Sequence, residues 1–172
     1  MRILGIDPGI GTMGYGIIDF DRGNFVTVDY GVVKTNKDDV LPKRLLDLES
    51  ALLGLIDKFT PDEIAVEELF FTKNVTTGIA VAEARGVILL TGVKSIGDNL
   101  YEYTPNQIKQ ALTGTGSADK RQMQLMTQML LGLKKPPTPD DAADALAVAI
   151  THAQTGRLAT AFKVGGLNLG RR

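Results

Sequence analysis

Four acidic residues occupy positions that favour metal-dependent chemistry. Asp7 ends the short branched run ILGID, which predicts a buried strand, and Glu67 ends a second such run, EIAVE. Asp141 and Asp144 stand three residues apart near the start of a predicted helix, so their side chains share one face. Carboxylates without His or Cys partners suit Mg²⁺ or Mn²⁺. If the four acids converge, they predict a site for two cations that could hydrolyse a phosphodiester.

The two helical acids also have a purely structural interpretation. Thr138 and Asp141 have the spacing of a capping box, and Asp144 could be a charge that interacts favourably with the positive end of the helix. Small residues nearby would let this helix approach the sheet closely; they are Ala142, Ala143, Ala145 and Ala147. Convergence of the helix on the two strand-end acids is what favours the metal-site interpretation.

Glycines follow Asp7 at positions 9, 11, 14 and 16. The segment from Tyr15 to Phe20 is again strand-like, so the pair predicts an antiparallel hairpin. Glycine allows another backbone, a metal-bound water or a phosphate to come close. We therefore expect these glycines to serve a close approach near the carboxylate of Asp7.

The order of elements predicts an α/β fold with a mixed five-stranded sheet and helices on both faces. Strands are expected near 2–7, 14–20, 25–33, 62–68 and 99–104, and helices over 42–59 and 76–92, with further helices starting after Thr104, Asp119 and Thr138. The helix over 42–59 has the three-and-four spacing of an amphipathic helix.

Length and composition predict one globular domain. The chain has 172 residues, 44% of them hydrophobic, and no cysteine, which excludes disulfides and thiol chemistry. Its first residues enter a strand without a signal region, and no apolar run approaches the ~18 residues of a membrane span. We expect a cytoplasmic protein without a membrane partner, with a nuclease domain over 1–156 and a basic, glycine-containing, mobile tail over 157–172.

Basic residues concentrate in the second half of the chain. The formal net charge is −1, but residues 105–135 contain five Lys or Arg and only one acid, Asp119. The tail adds four basic residues and no acid. This distribution predicts a local positive face that could meet nucleic acid, although solvated helix exteriors would account for the charges equally well.

Five motifs, in order along almost the whole chain, resemble the RuvC-type Holliday junction resolvases. They are GIDPG, AVEELFFTKN, EARGV, GTGSADK and DDAADALAVAITH. The resemblance implies a ribonuclease H-like fold, a homodimer, and an endonuclease that cuts four-way DNA junctions with two Mg²⁺ per site, for which Mn²⁺ could substitute. It also implies RuvA and RuvB as partner proteins. The family's four catalytic and metal-binding acids carry over onto Asp7, Glu67, Asp141 and Asp144.

The same resemblance suggests which residues contact DNA. In LFFTKN two adjacent phenylalanines cannot both face the core in a regular strand, and Phe70 is the candidate for stacking on junction bases. Lys109 and Lys120 match positions that hold phosphates near the cut. Weaker candidates are Arg121, Lys73 and Arg85. We assign no role to His152, and strand alternation is expected to turn Glu68 away from Glu67.

The helix over 76–92 is apolar around most of its circumference. Such a helix is either buried fully within one chain or covered on its outer face by a second copy. A two-fold dimer would suit the placement of two symmetric nicks in a junction.

Two other functions are compatible with strand-end acids. A nucleotide-binding protein of the actin and sugar-kinase type would need a second glycine-rich loop and a second domain, for which 172 residues leave no room. A catalytically silent DNA-binding or scaffold protein of the same fold would be expected to have lost an acid, and none of the four is missing.

Overall fold

A computed structural model describes residues 1–68 and 75–155 of the chain. The strands are β1 (Arg2–Asp7), β2 (Thr12–Asp21), β3 (Asn24–Lys34), β4 (Glu63–Glu67) and β5 (Leu100–Tyr103). The helices are α1 (Leu41–Phe59), α2 (Val75–Ile96), α3 (Pro105–Thr113), α4 (Lys120–Leu130) and α5 (Asp140–Thr155). The expected tail over 157–172 lies outside the described residues.

The five strands form one mixed sheet in the order β3-β2-β1-β4-β5. The first three strands are antiparallel neighbours, whereas β4 runs parallel to β1 and β5 runs parallel to β4. Arg22 and Gly23 both have positive φ and make the tight turn between β2 and β3. The predicted α/β fold with a mixed five-stranded sheet is therefore confirmed.

Helices cover both faces of the sheet, as the sequence predicted. On one face α1 and α2 bury Leu48, Leu52 and Ile88 against Leu4 of β1. On the other face α3, α4 and α5 pack against the alternate residues of the same strands, such as Ile3. The period-two alternation of β1 thus divides the core into two layers, and α5 lies directly on the central strands.

Most helix starts agree with the capping signals in the sequence. Thr104 and Asp119 each form a capping box, with Gln107 and Gln122 respectively. The start of α5 differs, because it begins at Asp140 and the carbonyl of the preceding proline accepts the first amide bonds. The prediction of Thr138 as N-cap is therefore wrong, and so is the capping-box interpretation that depended on it.

Helix α2 is not fully buried within the chain. It extends from Val75 to Ile96, longer than predicted, and ends before Gly97, which has positive φ. Its side chains Ile79, Leu90 and Val93 are 56%, 52% and 45% exposed. The outer face of α2 therefore stays apolar and open in a single chain.

No helix in the described part of the chain is both long enough and apolar enough to span a membrane.

Candidate active site

The sheet topology places Asp7 and Glu67 side by side. Strands β1 and β4 are parallel neighbours with Ile6 opposite Val66, so the residue that ends each strand lies at the same edge. The two carboxyl groups lie close enough that the charge of Glu67 raises the pKa of Asp7, after the larger effect of burial. Two buried carboxylates in this position favour retention of a proton near neutral pH.

Glycines bring α5 into direct contact with the central strands. A Cβ atom on Gly14 would lie 2.0 Å from the carbonyl oxygen of Asp141, and one on Gly5 would lie 2.1 Å from that of Ala145. Gly14 is also the β2 residue paired with Asp7. Gly14 and Gly16 thus serve the close approach of a helix backbone, which carries Asp141 to the strand edge, whereas Gly9 and Gly11 contact Thr12 and Arg44 instead of α5.

The acids are close enough for their charges to act on the ionisation of Asp7, Glu67 and Asp144. Burial, followed by the charges of Glu67, Asp144 and Asp141, raises the pKa of Asp7 to about 8. Burial and the charge of Asp144 raise the pKa of Glu67 to about 7, although nearby lysines oppose this change. Burial is also the main cause that raises the pKa of Asp144. The sheet edge is therefore a place where negative charge is crowded and poorly hydrated.

Two lysines and two of the acids line one cleft of about 240 Å³. They are Lys109 of α3, Lys120 of α4, Glu67 and Asp144. The Nζ atom of Lys120 lies 3.6 Å from a carboxylate oxygen of Asp144. The cleft thus combines carboxylates with ammonium groups, and it has room for a phosphate group.

Asp140 is a further acid at this site that the sequence interpretation missed. Its carboxylate lies 3.0 Å from Nζ of Lys120 and accepts a 2.8 Å hydrogen bond from Gln124. These contacts lower the pKa of Asp140 and raise that of Lys120. The doubled acid at the start of α5 was the only signal in the sequence, and it did not distinguish Asp140 from its neighbour.

The donor atoms suit a hard divalent cation, but the side chains are not arranged as a closed metal site. Among residues 1–68 and 75–155, no three Asp, Glu or His side chains surround one point at ligand distance. Asp7 and Glu67 instead lie beside each other at the sheet edge, and Asp144 faces Lys120. All four groups are carboxylates, and burial together with neighbouring negative charge raises the pKa of Asp7, Glu67 and Asp144, so a cation would relieve this crowding.

The predicted DNA-binding residues fall into three groups. Lys109 and Lys120 line the cleft, and Arg121 is exposed in the first turn of α4 beside it. Arg85 lies apart from the acids, on α2, where it forms an ion pair with Glu102 of β5. The two remaining candidates, Phe70 and Lys73, lie outside the described residues. Burial and, more weakly, the charge of Glu68 raise the pKa of Glu102, so Glu68 lies near Glu102.

His152 is fully buried and does not reach the cleft. Its ring nitrogens contact Glu63 at the start of β4 and the hydroxyl of Tyr103 on β5. No signal in the sequence connects these three residues, because they are far apart in the chain and the sheet order brings them together.

The mixed five-stranded sheet, with acids at the ends of β1 and β4 and on the helix that covers them, defines the class of ribonuclease H-like nucleases. Within that class the chain belongs to the RuvC family, because the family model described as "Crossover junction endodeoxyribonuclease RuvC" matches residues 3–152. The family consists of metal-dependent nucleases. The family resemblance seen in the sequence motifs is thereby confirmed.

Individual relatives agree with the family model over nearly the full chain. A crossover junction endodeoxyribonuclease RuvC of Petrotoga mobilis is 54% identical over 96% of this chain and 99% of its own length. The structure of Thermus thermophilus RuvC has 36% identity and a TM-score of 0.84, over 92% of this chain and 96% of that one. RuvC of the same organism, solved in complex with a Holliday junction substrate, has 34% identity and a TM-score of 0.85, over 95% and 99%.

Proposed function

We propose that this chain is a structure-selective endonuclease that resolves four-way DNA junctions in homologous recombination and DNA repair. The observation that carries the proposal is the convergence of all four family acids beside a lysine-lined cleft, in a chain that belongs to the RuvC family. Family membership does not favour the actin-like alternative. Retention of every acid likewise gives no support to a silent scaffold.

The lysines of the cleft provide the first step, which is capture of the scissile phosphate. Lys109 and Lys120 line the same cleft as Glu67 and Asp144. A phosphate there would be attracted by both lysines and repelled by Glu67 and Asp144, unless cations neutralise the acids. In the free protein Lys120 is held by Asp140 and faces Asp144, so a bound phosphate competes with these two acids for it.

The acids would hold Mg²⁺, for which Mn²⁺ could substitute. We propose two ions per site, because four ionised carboxylates carry four negative charges and two divalent cations balance them. Loading the site would require Asp7 and Glu67 to ionise, although their raised pKa values favour retention of a proton near neutral pH. When bound, such ions lower the pKa of water and offset charge on the leaving oxygen of a phosphodiester. Asp7, Glu67, Asp141 and Asp144 would set where that chemistry occurs, beside the lysines.

We also propose that the active form is a homodimer. Single globular chains seldom expose a large apolar patch, yet the outer faces of α1 and α2, which pack against each other, both do so. The exposed residues are Leu46, Leu53, Ile79, Leu90 and Val93. An isologous two-fold contact through this face would carry two identical active sites, as two symmetric nicks require.

Other partners of the proposed function follow from the family alone. We propose RuvA and RuvB as proteins that cooperate with this chain, and Phe70 with Lys73 as contacts near the junction centre. Arg121 would add a phosphate contact beside the cleft, because it is exposed in the first turn of α4. Arg85 would have to leave its ion pair with Glu102 to bind DNA, so it is the least favoured of the proposed contacts.

A cleavage assay tests the proposal. A synthetic four-way junction and a linear duplex of the same sequence are incubated with the protein in Mg²⁺ or in EDTA. We expect paired nicks in the junction, in Mg²⁺ only, and no cleavage by Asp144→Asn. The matched control is Asp57→Asn, which removes an exposed acid from α1 and should cut normally. Equal cutting of duplex and junction, or cutting in EDTA, would contradict the proposal.

A further inference from the structure

A chain of polar side chains, centred on the buried His152, joins the last turns of α5 to the sheet. The Nε2 atom of His152 lies 2.5 Å from a carboxylate oxygen of Glu63, the first residue of β4. The Nδ1 atom lies 2.7 Å from the hydroxyl of Tyr103, which ends β5. Thr155 of α5 donates a 3.2 Å hydrogen bond to the same hydroxyl. We call the contact of His152 with Glu63 and Tyr103 the α5 latch.

The surroundings of His152 fix its orientation. Its side chain has no exposed surface, and the ring of Tyr101 lies 4.3 Å away between centroids. Burial lowers the pKa of His152, which favours the neutral ring. A neutral ring has one donor and one acceptor nitrogen, so Nε2–H donates to the Glu63 carboxylate and Nδ1 accepts from Tyr103. Each polar atom of the ring thus has a partner at a defined distance.

The distance from the latch to the acids is nearly the same along β4 as along α5. From Glu63 to Glu67 the strand advances about 13 Å, at about 3.3 Å per residue. From His152 back to Asp144 the helix advances about 12 Å, at 1.5 Å per residue. Because the two lengths agree, holding His152 against Glu63 at one end places Asp144 opposite Glu67 at the other.

The rest of the contact between α5 and the sheet offers little directional bonding. Gly5 approaches the backbone at Ala145 and Ala149, and the small side chains of α5 fill this surface. Small apolar surfaces allow close approach but do not by themselves define an axial position as sharply as hydrogen bonds do. In the described part of the chain, the hydrogen bonds between α5 side chains and the sheet all lie at the latch.

We propose that Glu63 and His152 are positioning residues that set the axial register of α5 on β4, and thereby the distance between Asp144 and Glu67 in the cation site. This inference rests on the proposed function, because it concerns how the same acids are aligned. The two residues do not touch the cleft, so they act only through the elements that they join.

The test compares Glu63→Ala with Glu63→Gln in the full chain. Alanine removes the acceptor for Nε2–H, whereas glutamine keeps a carbonyl oxygen at that place. Mn²⁺ affinity is measured by titration without DNA, and kcat and junction affinity are measured separately. We expect Glu63→Ala to lose about ten-fold in Mn²⁺ affinity, as for outer partners of metal ligands, with a lower kcat and unchanged junction affinity. Glu63→Gln should recover most of both losses.

A destabilised control separates positioning from general loss of stability. Ile150→Val removes one buried methylene from α5 without touching the latch, and it should lower the melting temperature while leaving Mn²⁺ affinity intact. An equal loss of affinity in this control, or none in Glu63→Ala, would overturn the proposal. A crystal structure of Glu63→Ala gives a readout independent of cations. A shift of α5 along β4 by about 1 Å or more supports the latch, and an unshifted helix refutes it. Failure of the wild-type protein to bind Mn²⁺ would refute the proposed function and leave this structural result intact.

Discussion

Replacing Asp7 by Asn removes one carboxylate from the crowded sheet edge, and the structure predicts that the protein without metal becomes more stable. The pKa of Asp7 rises from 3.8 to about 8, mainly through burial and then through the charges of Glu67, Asp144 and Asp141. A rise of this size corresponds to about 6 kcal/mol of unfavourable free energy for the ionised group in the folded state.

Only part of that free energy should be recovered. The buried amide of asparagine also loses contact with water, and Glu67 keeps its own burial cost. We therefore expect a gain of about 2 kcal/mol at pH 8, which for a domain of this size raises the melting temperature by about 4–8 °C.

The gain depends on pH in a defined direction. Above pH 4 the unfolded chain releases the proton of Asp7, whereas the folded protein retains it up to about pH 8. The wild type therefore loses stability relative to Asp7→Asn as the pH rises across this window. The difference between the two proteins should be small at pH 4 and largest at pH 8.

Thermal unfolding in EDTA at several pH values measures the effect, with Asp57→Asn as a control that removes an exposed acid. The order should reverse in Mg²⁺, because binding stabilises the wild type and Asp7→Asn has lost a ligand. The variant should also keep junction binding while losing cleavage. If Asp7→Asn is no more stable than the wild type at pH 8 in EDTA, the acids are not crowded as described.

Three further predictions concern DNA binding and assembly. Lys120→Ala should slow junction cleavage at least ten-fold. It should also reduce the slope of log Kd against log salt concentration by about one, as for the loss of one phosphate contact. An unchanged slope would show that this lysine does not contact a DNA phosphate. Phe70→Ala should impair cleavage with little change in melting temperature, whereas a large thermal loss would place the ring in the core. Leu90→Glu should convert a dimer into monomers in light scattering, and an unchanged mass would exclude the α2 face as the contact.

The sequence predicted the elements that carry the acids, because their signals are local. The apolar run before Asp7 and the three-residue spacing of Asp141 and Asp144 both depend on neighbours in the chain. The fold class followed from the order of those elements. Family motifs then added the expectation that the four acids meet.

The remaining features depend on pairing between distant segments. The contact of His152 with Glu63 arises only because β4 lies between β1 and β5 and α5 crosses it. The pairing of Lys120 with Asp140 likewise depends on how α4 packs against α5. The predicted start of α5 was one residue too early for a different reason. Thr138 followed by Pro139 matches a common helix-capping pattern, but the helix begins at Asp140.

The positions of bound cations decide whether the four acids form a metal site. A crystal of the protein soaked in Mn²⁺ and measured at the manganese absorption edge would locate the ions from their anomalous scattering. We predict manganese between the carboxylates of Asp7, Glu67, Asp141 and Asp144, with the oxygens of all four groups turned towards the ions. Manganese bound elsewhere, with these four groups unchanged, would contradict the account.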